Sequence, residues 1–394
     1  MSTVVDPTFI DELKGFGAFD VNACFNCGNC TAVCPLSIGN DSFPRKMIRN
    51  AQIGDKDRLI AGKEIWLCYY CGECSDTCPR QAEPGEFMAS VRRYAIASAD
   101  PTGISRLLYT SKLFTVIFLT ALSILFALIL ISGKGPMKKD PPAFFKYGRI
   151  EGFLSFDIIH DMGLAVIGLA VLAAVGGAVR MALRLARAAP RTQAKEIAGE
   201  KQRGFLTRFI PSVKNVLAEL AAQKRYRDCA EESNVPWYRS HWFIHWSIMW
   251  GFIGLGVATG IDYLWMIIGD KMPGQPDPLW YPGRLVGTLT GILFMYGTSM
   301  ALIFRFTKPD KYSSHSLLSD WLFLWLLFLT GLTGFLLEIA VYLPTGTLWG
   351  YLIFLVHVVL GMEIVVLLPF TKFAHFVYRP LPLFIHEMTR SDRI

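Results

Sequence analysis

CFNCGNCTAVCP, residues 24–35, places four cysteines with two, two and three residues between them and a proline directly after the last. CYYCGECSDTCP, residues 68–79, repeats that spacing residue for residue. Eight of the nine cysteines lie in these two runs. A chain that opens on a polar segment and groups its thiols this way is no disulfide-stapled domain; the thiols belong in a reducing compartment. Around the runs, residues 1–100 read as a small soluble domain. It closes on the helical stretch EFMASVRRYAIASA, Glu86–Ala99, before Asp100-Pro101-Thr102-Gly103 breaks the pattern.

Three closely set cysteines followed by a fourth before proline form the bacterial ferredoxin arrangement for 4Fe-4S clusters: three thiolates hold one cube and the fourth reaches the other. The spacing therefore assigns Cys24, Cys27, Cys30 and Cys78 to one cluster and Cys68, Cys71, Cys74 and Cys34 to a second. Two structural zinc sites are the alternative, but zinc asks for four thiolates from two separated pairs, not a duplicated triplet with a fourth. Cys229 stands alone in a basic stretch and reads as an ordinary thiol. Between the runs, DSFPRKMIRNAQIG is amphipathic, either a docking surface for a soluble partner or a helix packed on the cluster core.

The rest of the chain calls for a different solvent. Of 394 residues, 52% are hydrophobic and 18% charged, too apolar for an ordinary globular protein. KLFTVIFLTALSILFALILIS, Lys112–Ser132, is long enough to cross the hydrocarbon core. Further spans are expected at about Phe156–Met181, His241–Ile268, Leu285–Phe306, Leu317–Tyr342 and Leu348–Phe373. An even number of spans puts both termini on one side.

Basic residues crowd the segment from Arg184 to Arg239 and recur at Arg305, Lys308, Lys311, Lys372, Arg379, Arg390 and Arg393, which makes that side cytoplasmic. Lys134, Lys138, Lys139, Lys146 and Arg149 follow the first span on the opposite side. The net charge of +7 thus orients a chain in the cytoplasmic membrane; it does not indicate nucleic acid. The expected organisation is a cytoplasmic two-cluster domain (1–100), a linker (101–111), two spans (112–183), a basic cytoplasmic loop (184–239), a four-helix haem domain (240–378) and a cytoplasmic tail (379–394).

Ionisable side chains inside spans are costly and so are functional candidates. His160, His241, His245, His357 and His375 fall in or beside spans, whereas His315 and His386 read as solvated. His357 and His375 are eighteen residues apart on the expected last helix, about five turns and roughly 27 Å along one face. Two haems stacked across a membrane need such a layout, with ligands from facing helices. Matching depths assigns an inner haem b to His245 and His375, with His241 as a substitute for His245, and an outer haem b to His160 and His357.

With these motifs, the first hundred residues resemble the iron-sulfur subunit of heterodisulfide reductases. The membrane part resembles their cytochrome b subunit and, more distantly, the membrane subunit of respiratory nitrate reductase. One chain joining the two is similar to the third subunit of the quinone-interacting membrane-bound oxidoreductase complex. The resemblance implies a mainly α fold, in which an α-helical ferredoxin-like two-cluster domain precedes a six-helix transmembrane cytochrome b bundle. It also implies two b haems and an electron-transfer subunit that works between menaquinol and cytoplasmic flavin and iron-sulfur subunits of the same complex. Adenylylsulfate reductase then follows as an indirect partner, in sulfate respiration. His357 and His375 match the ligand spacing on the final helix of the nitrate reductase subunit. The third span departs from that pattern, with Leu255 where a second histidine would stand.

A quinol releases two protons with its two electrons. Asp157, Asp161, Arg284 and Glu338, near the outer ends of spans, are the candidate quinone contacts, or else interfacial charges. Two rivals remain: a heterodisulfide reductase-type subunit with another acceptor, and a haem-free ferredoxin on a membrane anchor. An ion-translocating subunit would carry more deep charge than Glu363.

Overall fold

The computed structural model describes residues 5–389 except 19, 38–41, 133–153, 155, 189–204, 230–234, 269–277, 279, 309–315 and 343–347. His315, Lys311, Arg390, Arg393 and the basic group from Lys134 to Arg149 lie outside the described residues. Among those described the chain is helical, with no strand.

Residues 9–110 form a small helical domain: α1 (Phe9–Lys14), α2 (Asn29–Val33), α3 (Arg45–Gln52), α4 (Lys56–Ile60), α5 (Glu64–Leu67), α6 (Glu73–Asp76), α7 (Pro84–Ala99) and α8 (Ile104–Thr110). Helix α3 is short but strongly amphipathic: Met47, Ile48 and Ala51 turn inward, and Lys46 and Arg49 turn out. Asp55 caps α4 by accepting the Arg58 N–H at 3.2 Å. Pro84 opens α7 at a position where no intrahelical donor is needed. The domain was expected to end in a linker at 101–111, but Ile104–Thr110 is helical and packs on α7 and on the start of the first span.

Among the described residues, six helices are long and apolar enough to cross a membrane: Lys112–Ser132, Phe156–Ala188, His241–Ile268, Pro282–Thr307, Leu318–Tyr342 and Leu348–Leu367. Their outward residues, among them Leu113, Leu128, Leu169, Leu172, Ile268 and Leu289, are apolar and exposed, as a lipid-facing surface requires. Spans three and four pack most extensively. Their axes approach through glycine, since a Cβ on Gly251 would stand 2.6 Å from Phe294 Cβ and one on Gly297 2.7 Å from Ile248. The sixth span touches the first, second and fifth.

Two expectations about the membrane part are corrected. The last span does not run to Phe373: it ends at Leu367, and turns lead to a separate helix, Ala374–Tyr378. Pro369 accounts for the break, because proline removes a helical donor and disfavours helix in the residue before it. His357 and His375 are therefore not on one continuous helix. The basic segment 184–239, taken as a loop, holds the amphipathic helix Phe205–Ala222 and a further turn, Lys224–Cys229. The first of these packs along the C-terminal helix Pro380–Thr389.

One core joins the parts. Phe9, Leu13, Phe16, Ile48, Trp66, Phe87 and Val91 of the small domain share a buried cluster with Met181 and Leu185 of the second span and with Ala374 and Tyr378. A second tie is ionic: buried Arg93 of α7 reaches Asp320 of the fifth span at 3.3 Å, and Asp320 also meets Lys372.

Candidate functional site

The two cysteine runs fold alike because they carry the same backbone irregularities. Asn26 and Tyr70 take φ of 65° and 63°, and Gly28 and Gly72 take 92° and 84°, so each run makes two left-handed steps before its helix, α2 or α6, begins. These steps turn main-chain N–H groups toward sulfur. Tyr70 N–H lies 3.3 Å from Cys68 Sγ and Ala82 N–H 3.3 Å from Cys78 Sγ, while Leu36 N–H serves Cys34. Helices α2 and α6 pack together, which brings the two runs side by side.

The thiols sort into two crossed groups by the charges each one feels. Burial pushes the Cys30 thiol up, and Cys24, Cys27 and Cys78 add to the shift. Burial pushes Cys34 up to about 11, with Cys68 and Cys71 as further causes. Cys74 is raised by burial and then by Cys68, Cys71 and Cys34. Cys30 also reaches Cys34 and Cys74, as two neighbouring groups require. Among the described residues, no three Cys, His, Asp or Glu side chains converge as the ligands of a single ion do. Each iron of a cube takes its own thiolate, and two neighbouring groups of four thiols supply the donors that two cubes need.

Cations and aromatics cover the Cys68 end. Arg92 donates to Cys68 O at 2.6 Å and to Ile65 O at 3.0 Å. The Arg379 guanidinium lies 3.8 Å from the Tyr69 ring centre, and the Tyr69 hydroxyl bonds Glu219. Tyr69 stacks on Tyr226 at 5.6 Å and 12°. Tyr226 meets His245 edge to face at 5.8 Å, and the His245 and His375 rings are 6.2 Å apart. A continuous run of rings thus leads from the second cysteine run to the inner histidines.

Two imidazoles that each bond one iron at about 2 Å place their ring centres ~6 Å apart, so the 6.2 Å between His245 and His375 suits a haem between them. A ligating histidine also has its other nitrogen tied to a neighbour. His245 Nδ1 is 2.8 Å from Gln223 Oε1, His375 Nδ1 is held by Lys372 O, and His357 Nδ1 is 2.9 Å from Thr333 Oγ1. His357 faces Gly334 of the fifth span, where an added Cβ would stand 3.2 Å from the ring. His241 instead packs edge-on against Phe304.

His160 is held differently, with Nε2 3.0 Å from Tyr263 Oη and Nδ1 3.2 Å from Asp161. Of the four residues considered for quinone, the structure brings two together: Arg284 Nε lies 3.2 Å from Glu338 Oε1, and Thr288 donates to the same oxygen at 3.1 Å. Asp157 and Asp161 are exposed at the start of the second span. Sequence reasoning missed Gln223, Tyr226, Arg92, Arg379, Thr333 and Gly334. Tyr69, lying inside a cysteine run, carried the only local signal.

The family described as 4Fe-4S dicluster domain matches residues 23–83. The chain is similar to one subunit of the H(2):CoB-CoM heterodisulfide,ferredoxin reductase from Methanothermobacter thermautotrophicus, 34% identical over 63 residues, 16% of this chain and 34% of the relative. A protein of Archaeoglobus profundus, itself described as like a heterodisulfide reductase subunit, is 32% identical over 111 residues, 27% of this chain and 59% of the relative. The iron-sulfur subunit of CoB--CoM heterodisulfide reductase from Methanopyrus kandleri is 33% identical over 67 residues, 17% and 33% of the two chains. The chain thus spans a third to three-fifths of the length of these relatives. No solved structure matches the chain at a significant level.

Proposed function

We propose that this chain is the membrane electron-transfer subunit of a quinone-dependent oxidoreductase complex, in which a heterodisulfide reductase-like iron-sulfur domain is fused to a cytochrome b bundle. The observation that carries the reading is the ring path from Cys68 through Tyr69 and Tyr226 to the facing His245 and His375. Clusters on Cys24, Cys27, Cys30, Cys78 and on Cys68, Cys71, Cys74, Cys34, with b haems on the histidines, supply one-electron carriers when bound. The inner haem is assigned to His245 and His375. The outer one is assigned to His357 and His160, whose Nε2, 3.0 Å from Tyr263 Oη, would have to turn from that hydroxyl to hold it.

The chain's own residues do the remaining work. Gln223, Lys372 and Thr333 fix the ring orientation of His245, His375 and His357 through Nδ1. The Tyr69–Tyr226 stack fills the gap between thiol group and histidine with aromatic matter and excludes water. Arg92 and Arg379 place positive charge beside Cys68, which favours negative charge on its cluster. At the outer face, Glu338 Oε1, positioned by Arg284 Nε at 3.2 Å and by Thr288 at 3.1 Å, is the acceptor for a proton from a quinol hydroxyl. Asp157 and Asp161, exposed at the start of the second span, are the further candidate quinone contacts. The membrane is the cytoplasmic membrane, with both termini in the cytoplasm. The quinone is menaquinone, and the electrons pass to cytoplasmic flavin and iron-sulfur subunits, with adenylylsulfate reductase as the indirect acceptor. The names of the relatives support a heterodisulfide as the alternative acceptor.

The test is a reduced-minus-oxidised spectrum with a pyridine haemochrome count. The expected result is two b haems per chain. His245→Ala and His375→Ala should each lose one of them, His160→Ala and His357→Ala the other, and His241→Ala neither. Absence of haem from the wild type would leave an iron-sulfur protein on a membrane anchor.

A further inference from the structure

The two thiol groups differ in exposure. Cys68 sits behind Arg92, Tyr69 and Arg379, on the side that leads to the histidines. Cys27 is exposed, as is the neighbouring Phe25 at 61%. Beside them opens a cleft of about 220 Å³ lined by Asn26, Ser42, Arg45, Lys46, Arg49 and Asn50. Among the described residues, the lining holds three cations and no acid.

Helix α3 is fixed to the cysteine loop from both ends. The Arg45 guanidinium lies over Gly28, where an added Cβ would stand 3.0 Å from Nη1. Gln52 Nε2 donates to Cys24 O at 2.9 Å. Met47, Ile48 and Ala51 are committed to the core, so the polar face of α3 turns outward beside Cys27. The amphipathic segment between the cysteine runs thus packs on the cluster core and also presents a charged rim.

An exposed ring beside a cleft with cationic lining, next to the exposed end of an electron path, is the chemistry of a transient redox encounter. The charge steers approach, and the exposed ring lies beside the electron-carrying group. We propose that Phe25, Lys46 and Arg49, with Arg45 behind them, form the docking surface through which the Cys24, Cys27, Cys30 and Cys78 cluster exchanges single electrons with a soluble redox protein bearing an acidic face. This inference rests on the cluster assignment above. It makes the Cys27 group the one at the partner and the Cys68 group the one at the membrane.

The probe is a reduced plant-type ferredoxin, an acidic one-electron donor at about −400 mV. It is mixed with the full chain in nanodiscs of neutral lipid. The ferredoxin gives up one electron and one cluster of the chain gains it, so freeze-quenched EPR follows the decay of the donor's [2Fe–2S] signal. The second-order rate should fall about tenfold or more between about 20 mM and 500 mM salt. Lys46→Glu with Arg49→Glu should slow it about tenfold at low salt and flatten the salt dependence. Lys214→Glu, at an exposed site on the helix Phe205–Ala222, should behave as wild type. Iron and sulfide counts separate the two ideas. Protein without clusters sinks the functional reading, whereas intact clusters with a rate indifferent to salt and to the double reversal overturn the docking surface.

Discussion

Gly28 and Gly72 show how a single residue sets the cluster geometry. At φ of 92° and 84° an L side chain is strained by about 1 kcal/mol or more. The Gly28 substitution would also press on Arg45 Nη1, 3.0 Å from the added Cβ. Gly28→Ala and Gly72→Ala should each lower iron and acid-labile sulfide per chain while the protein still inserts. Full cluster content in both would show that the left-handed step is dispensable. The two glycines stand in plain view in the repeated CxxCGxC pattern. That Tyr70 takes the same backbone angle as Asn26 was not legible, because asparagine visits the left-handed region readily and tyrosine does not. Tyr70 is held there by its N–H on Cys68 Sγ and its hydroxyl on Glu86, a constraint supplied from α7.

At the scale of elements, hydropathy located every span but stopped the second at Met181, where the helix runs on to Ala188, because apolarity marks the part of a helix that crosses a bilayer and not its polar extension. It overran the sixth, although Pro369 was there to be read. The histidine pairing was legible only in outline. His245 and His375 were brought to one depth by the positions of their spans, but Gln223 and Tyr226 come from a segment read as loop, and only docking of that segment puts them at His245. The ion pair of α7 with the fifth span makes a prediction about elements. Asp320→Ala leaves the buried Arg93 and the half-buried Lys372 without this acid, at a cost of about 3 kcal/mol for the stranded Arg93. Arg93→Met leaves Asp320 with Lys372 and should cost less. Thermal inactivation in detergent should therefore rank Asp320→Ala well below Arg93→Met. The reverse order would mean that Lys372 does not hold Asp320 in the folded protein.

The whole molecule is joined more tightly than a domain on a tether. The cluster domain shares one buried core with the C-terminal end of the second span and the segment after the sixth. Residues 1–111 expressed alone should expose the face that meets Met181, Leu185, Ala374 and Tyr378. They should then aggregate or lose clusters, judged by size exclusion and iron content, whereas co-expression with residues 112–394 restores a soluble complex in detergent. A stable, monomeric, fully loaded fragment would show that the shared core is not needed. By itself, the sequence determined the local chemistry: four-thiol runs that suit cubanes, and six helices whose apolarity commits them to a bilayer. Both are properties of short segments, so a segment's own residues suffice to state them. Only the tertiary structure decided which thiol group faces the histidines, which ring nitrogen each histidine ties down, and that Arg284 and Glu338 meet while Asp157 and Asp161 stay exposed. Those are relations between residues up to hundreds of positions apart, set by how amphipathic faces pack, and no local pattern carries them.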